Sequence, residues 1–224
     1  SVAMIVLWFV VGIVLDQLPA GGLISQLLYM VWGAGWVAVA RRGHHGEALQ
    51  FGDFFAGFRH RLTPLMLGGL MVLGLIMGIL MICVFLLHQW GLTGLLSADP
   101  GSLALTQEQA QGFLVCALVG LALFVPVLMA ITFAPALILF HQVGVWQAAR
   151  LSFKGCLRNM WPFLWWGLLG AVLIFFGALL MLVGLLVVLP AINYSIYAAY
   201  HDIYLEDQEA EEGETPVKAF GFEA

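Results

Sequence analysis

The sequence predicts an all-α fold: a polytopic membrane helix bundle of about six transmembrane helices, with two interfacial amphipathic segments on one side. Three observations predict it. First, 62% of the 224 residues are hydrophobic and only 9% are charged, with a mean hydropathy of +1.01, whereas soluble domains carry about 25% charged residues. So much apolar surface has to face lipid. Second, the apolar residues fall in runs near the roughly 20 residues that a helix needs to cross a bilayer. Third, seven of the eight Lys and Arg residues lie in two short loops between those runs (Arg41, Arg42, Arg59, Arg61, Arg150, Lys154 and Arg158).

The runs are 2–16, 19–40, 63–89, 111–140, 162–183 and 185–205. The first opens on Ser1 with no basic residue before Val2, so it reads as a clipped membrane helix rather than a signal peptide. "TQEQ" places Thr106 three residues before Gln109, a capping-box signature at the start of the fourth helix. That run contains Pro126 and Pro135 and would span roughly 45 Å if straight, so a kink, a tilt or an extension beyond the lipid is expected. Residues 162–205 are too long for one span, so a tight turn near Gly184 divides them, and Pro190 falls early in the last helix. These six runs make residues 1–205 one transmembrane domain. Residues 206–224 form an acidic tail, expected to be flexible.

Orientation follows from the charges. Loops 41–62 and 141–161 are two crossings apart and hold all seven basic residues, so both face the cytoplasm by the positive-inside rule. The opposite loops hold Asp16, Asp99 and Glu108 and no Lys or Arg. Both termini are then cytoplasmic. The formal net charge of −5 includes eight acids after Ala199, and nothing in it suggests a nucleic-acid partner.

The two cytoplasmic loops resemble each other. "FAGFRHRLTPLMLGGL" from Phe55 aligns with "FKGCLRNMWPFLWWGL" from Phe153, matching Phe55 with Phe153, Gly57 with Gly155, Pro64 with Pro162, Gly69 with Gly167 and Leu70 with Leu168. The match suggests a parallel internal repeat with halves at roughly 19–89 and 111–183. In the second copy Arg150, Lys154 and Arg158 share one helical face, and Trp146, Ala149, Phe153, Cys156 and Leu157 are placed opposite. Such a helix suits the headgroup layer, its basic face toward anionic phospholipid. Trp161, Trp165 and Trp166 supply an interfacial belt. In the first copy Phe51, Phe54, Phe55 and Phe58 are expected to dip toward lipid while Arg59 and Arg61 stay up.

Chemistry-bearing clusters are sparse. His44, His45, His60, His141 and His201 all fall on the predicted cytoplasmic side and are the weak candidates for a metal site, without a ligand spacing such as HExxH. Cys83, Cys116 and Cys156 form no CxxC; the first two lie at similar depth, and buried hydrophobes are the expectation for all three. No ionisable residue lies mid-span, which weighs against an ion-coupled transporter. No cofactor and no catalytic residue is predicted. Gly74 and Gly78 form a GxxxG pair suited to close helix approach, within the bundle or with a second chain. Tyr194, Tyr197, Tyr200 and Tyr204 make a stripe, read as an interfacial girdle or, alternatively, as side chains that line a cavity or hydrogen-bond to neighbours.

"PALILFHQVGVWQAARLSFKGCLRNMWPF" and "LPAINYSIYAAYHDIY" together resemble a family of polytopic inner-membrane proteins of proteobacteria, a domain of unknown function. The matching positions are Ala148, Ser152, Cys156, Asn159, Pro162 and Phe163, then Tyr197, Tyr200 and Asp202. The resemblance is clearest over 134–204 and weaker over 24–75. It implies the same membrane class and brings no activity. That family carries a cytoplasmic segment before its first helix, which this sequence does not show.

Three functions compete. One is a non-catalytic accessory or assembly subunit, or a homo-oligomer, acting by helix packing. Another is a passive transporter or lipid-handling protein. The third is a metal-binding membrane enzyme or sensor using the histidines.

Overall fold

The computed structural model describes residues 10–15, 17–18, 20–92, 106–179 and 184–205. Among them every regular element is helical, as the composition requires. The elements are α1 (Gly21–His44), a 3₁₀ turn (Phe51–Phe55), α2 (Ala56–His60), α3 (Leu62–Gln89), α4 (Gln107–Thr132), α5 (Ala134–Phe140), α6 (Val145–Arg158), α7 (Met160–Leu179) and α8 (Leu185–Tyr204). Residues 10–15 are also helical. Among the described residues four segments are long and apolar enough to cross a membrane: Gly21–His44, Leu62–Gln89, Gln107–Phe140 and Met160–Gly177. The protein is therefore a helical membrane protein. Most of the first predicted span and the acidic tail lie outside the described residues. The sixth predicted span is helical as α8 but is not among those four.

Local chemistry sets several boundaries. Thr106 Oγ1 accepts the Gln109 N–H at 3.2 Å, and Gln109 Oε1 accepts the Thr106 N–H at 3.1 Å, so the capping box forms. The long fourth run breaks between Thr132 and Ala134, with Pro135 at the start of α5. Pro64 and Pro162 are each the third residue of their helices, α3 and α7, where a missing N–H costs little.

The chain divides into two compact units, residues 1–70 with 129–224, and residues 71–128. In the smaller unit the lower parts of α3 and α4 pair through small residues. Cys116 Sγ–H points at the Cys83 carbonyl at 3.5 Å, and a β-carbon on Gly120 would stand 3.1 Å from Cys83 Sγ. Both cysteines are free thiols. Large apolar side chains such as Met81 and Phe85 point outward, as lipid-facing residues do.

In the larger unit α1 is the central helix, packing against α5, the 3₁₀ turn, α2 and α8. Phe54 is fully buried, its ring 4.9 Å from that of Trp32 and 5.3 Å from that of Trp36. Its backbone carbonyl occupies the place of a β-carbon on Gly35, and Gly57 lies against the Val31 carbonyl in the same way. These two glycines let the loop segment press directly onto α1. Phe54, Phe55 and Phe58 therefore pack into protein, correcting the expectation that they dip toward lipid; Phe51 is the exposed one. The tyrosine stripe is corrected likewise. Tyr197, Tyr200 and Tyr204 are core residues, each 1% exposed, stacked at 5.9 Å and 5.5 Å, and only Tyr194 faces out.

Candidate functional site

The basic loops build two distinct surfaces, both in the larger unit. The first is α6. Its buried face is Ala148, Ala149, Leu151, Ser152, Gly155 and Cys156. The other face is exposed and itself divided: Trp146 and Leu157 on one flank, Arg150, Lys154 and Arg158 on the other. The Arg150 guanidinium lies 5.0 Å from the Trp146 ring centroid, a cation–π pair that orients both. Trp146 thus flanks the basic stripe, while Ala149 and Cys156, placed beside it from sequence, turn inward instead. Trp161 and Trp165 are exposed, with ring centroids 6.5 Å apart. Trp166 is half-buried, and its Nε1–H donates to Ser195 Oγ on α8 at 2.8 Å.

Ser152 explains why α6 seats where it does. In an unbroken helix the Phe133 N–H would bond to the Met129 carbonyl. Here Ser152 Oγ accepts the Phe133 N–H at 3.0 Å and donates to the Met129 carbonyl at 2.6 Å. A single hydroxyl from another helix fills the gap in the ladder, and Cys156 Sγ lies 3.5 Å from the same carbonyl. Ser152 and Cys156, four residues apart, both reach this break. The matched spacing in the sequence marked these residues, but nothing in it showed what they touch.

The second surface is an open cleft of about 670 Å³ where the end of α1, the 3₁₀ turn, α2 and the end of α5 meet. Arg41, Arg42, His45, Glu47, Asp53, His60, Arg61 and Gln142 provide its polar lining. Asp53 is fixed first: its Oδ2 accepts the Gln50 N–H at 3.1 Å, closing a capping box on the 3₁₀ turn, and pairs with Arg42 Nε at 3.0 Å. Glu47 approaches the same arginine at 3.8 Å. Arg61 Nη2–H donates to the Gln142 carbonyl at 2.9 Å, and Gln142 adopts a left-handed φ of 57°. Arg41 lies over the Phe140 ring, 4.8 Å from its centroid.

The histidines divide among different settings. His44 stacks near His45, Tyr197 and His201, with ring centroids 5.7, 5.7 and 4.7 Å away. His60 lies on the cleft with His45. His141 Nε2 is 2.6 Å from the Tyr200 hydroxyl. Burial, and then the charge of Arg41, hold the His141 pKa below its usual 6.5. Among the described residues no group of three His, Cys, Asp or Glu side chains is arranged to hold a metal. Arg59 extends over Gly52 rather than into an ion pair with any described residue.

A membrane-spanning helical protein with a divided amphipathic helix and an arginine-lined cleft is the class these features define. No protein-family model, curated protein or solved structure matches the chain. The resemblance drawn above therefore stands on its quoted residues alone.

Proposed function

We propose that the chain is a non-catalytic, lipid-handling protein of a bacterial inner membrane, engaging anionic phospholipid at the cytoplasmic surface through α6. In this reading it crosses the membrane six times, both termini face the cytoplasm, and the two basic loops descend from one duplicated unit. The exposed arc of α6 carries the proposal. Trp146 and Leu157 are 61% and 44% exposed beside Arg150, Lys154 and Arg158. A helix bathed in water alone would not pair large apolar residues with a basic stripe, whereas one lying at the headgroup boundary needs both. The test compares the purified chain with an Arg150→Gln/Lys154→Gln/Arg158→Gln variant in nanodiscs of neutral or anionic phospholipid. The wild type should enrich the anionic lipid around itself and the triple variant should not; equal enrichment would falsify the proposal.

A second reading, association with another copy, has its own support. Gly74 and Gly78 have nothing within 4 Å of an added β-carbon among the described residues. A bare glycine face in lipid is a surface that another helix can approach closely. Gly74→Leu/Gly78→Leu should then abolish any oligomer seen by native mass spectrometry, and an unchanged oligomer would remove this reading.

A further inference from the structure

We propose that the cleft beside α1 is a binding site for a phosphate ester, held between the guanidinium groups of Arg41 and Arg61. This site is separate from α6, and the inference does not depend on the surface reading above.

Charge pairing inside the cleft supports it. Three arginines face two carboxylates there, but both carboxylates serve one arginine: Asp53 meets Arg42 at 3.0 Å and Glu47 meets it at 3.8 Å. Arg41 and Arg61 have no carboxylate partner among the described residues. Each is nevertheless oriented. Arg41 lies over the Phe140 ring, which leaves the N–H groups at the guanidinium edge available. Arg61 spends one Nη2–H on the Gln142 carbonyl and keeps its remaining donors. Two oriented guanidiniums lining one concave site suit an oxyanion with several acceptor oxygens, because each can donate two parallel hydrogen bonds.

Size narrows the ligand. About 670 Å³ is far more than an inorganic ion fills and falls in the usual range of small-molecule sites. His45 and His60 add donors at the rim, and Leu139 with Phe140 adds an apolar wall. The arrangement leaves room for a phosphate carrying an organic group, glycerol being a simple one to probe. Such a group has two sources: the headgroup of an anionic phospholipid or a soluble phosphate ester.

The experiment uses the full chain in a neutral detergent, with Arg41→Gln and Arg61→Gln. One arm titrates glycerol 1-phosphate and reads binding by calorimetry. The other adds phosphatidic acid or phosphatidylcholine and reads retained lipid by native mass spectrometry. Binding in the first arm identifies a soluble ester; retention of phosphatidic acid alone, in the second arm only, identifies the lipid. In either case each Gln variant should lose about tenfold or more in affinity, the scale of one charge-assisted hydrogen bond. Arg61→Lys keeps the charge without the fork; it controls for folding and should recover only part of the affinity. The proposal is overturned if the wild type binds neither probe, or if both Gln variants bind as tightly as the wild type. Equal enrichment of anionic lipid around the wild type and the α6 variant, with cleft binding intact, would reject only the surface reading.

Discussion

The hydroxyl of Tyr204 stands where a β-carbon on Gly155 would be. It donates to the Leu151 carbonyl at 2.9 Å, one helical turn before that glycine. The last helix is thus latched to α6 through a site open only to glycine. Gly155→Ala gains up to about 1 kcal/mol of helix propensity. It also collides with a ring that is 1% exposed and cannot yield. Overpacking of this kind costs about 1–3 kcal/mol, so the clash should win and the melting temperature should fall. Tyr204→Phe should also destabilise, and the double variant should lose less than the sum of the two, because removing the oxygen makes room. Strict additivity in thermal melts would show that the two residues do not meet.

Ser152→Ala should be among the more damaging single-atom deletions in the chain. It leaves the buried Phe133 N–H without its 3.0 Å acceptor and takes the 2.6 Å donor from the Met129 carbonyl. Each unpaired group costs about 1–3 kcal/mol. Thermal unfolding in detergent measures the loss, and a shift no larger than that of an exposed Ser→Ala change would refute the bridge.

His141 should make stability depend on pH. Its pKa is lowered in the folded chain, so the unfolded chain binds the proton more readily. The contribution is fully present above the usual 6.5 and is lost as pH falls below it toward the lowered value. Melting temperatures should therefore drop as pH falls below about 6.5, and His141→Gln should flatten that slope. Arg41→Gln removes the second cause and should weaken it. An identical slope in His141→Gln would place the titration elsewhere.

Cys156 should resist alkylation in the folded protein. The thiol is 5% exposed, and burial pushes its pKa up to about 11 against the opposing pull of a Thr132 hydrogen bond. At pH 8 the reactive thiolate is then roughly one part in a thousand. A maleimide should label this position slowly in the native state and quickly after denaturation; comparable rates would contradict its burial.

Hydropathy and local spacing made much of the helical architecture legible. The apolar runs, the Thr106 capping box and the interruption of the fourth run are local signals, each carried by a few adjacent residues. What an apolar face would touch was not legible. Phe54, Ala149 and Tyr200 all lie on apolar faces, and periodicity places a residue on such a face without saying whether lipid or protein covers it. In a membrane protein both are apolar, so the usual inside-outside contrast disappears. The cleft was hidden for a different reason. Arg41, Asp53 and Gln142 come from three separate segments, and the pairing of Asp53 with Arg42 decides which cations remain for a ligand. One clue existed: the three-residue spacing of Gln50 and Asp53 is a capping signature that fixes the carboxylate.

The Ser152 bridge has a mechanical consequence. Met129 and Phe133 belong to a segment apolar enough to cross the membrane, whereas Ser152 belongs to the short basic helix at its end. A rung of the crossing segment is therefore borrowed from outside it. Lifting α6 by more than a hydrogen-bond length strands a donor inside the crossing segment, and the bend at Phe133 must then close or open to recover it. The seat of α6 and the break in the crossing segment thus share one oxygen atom.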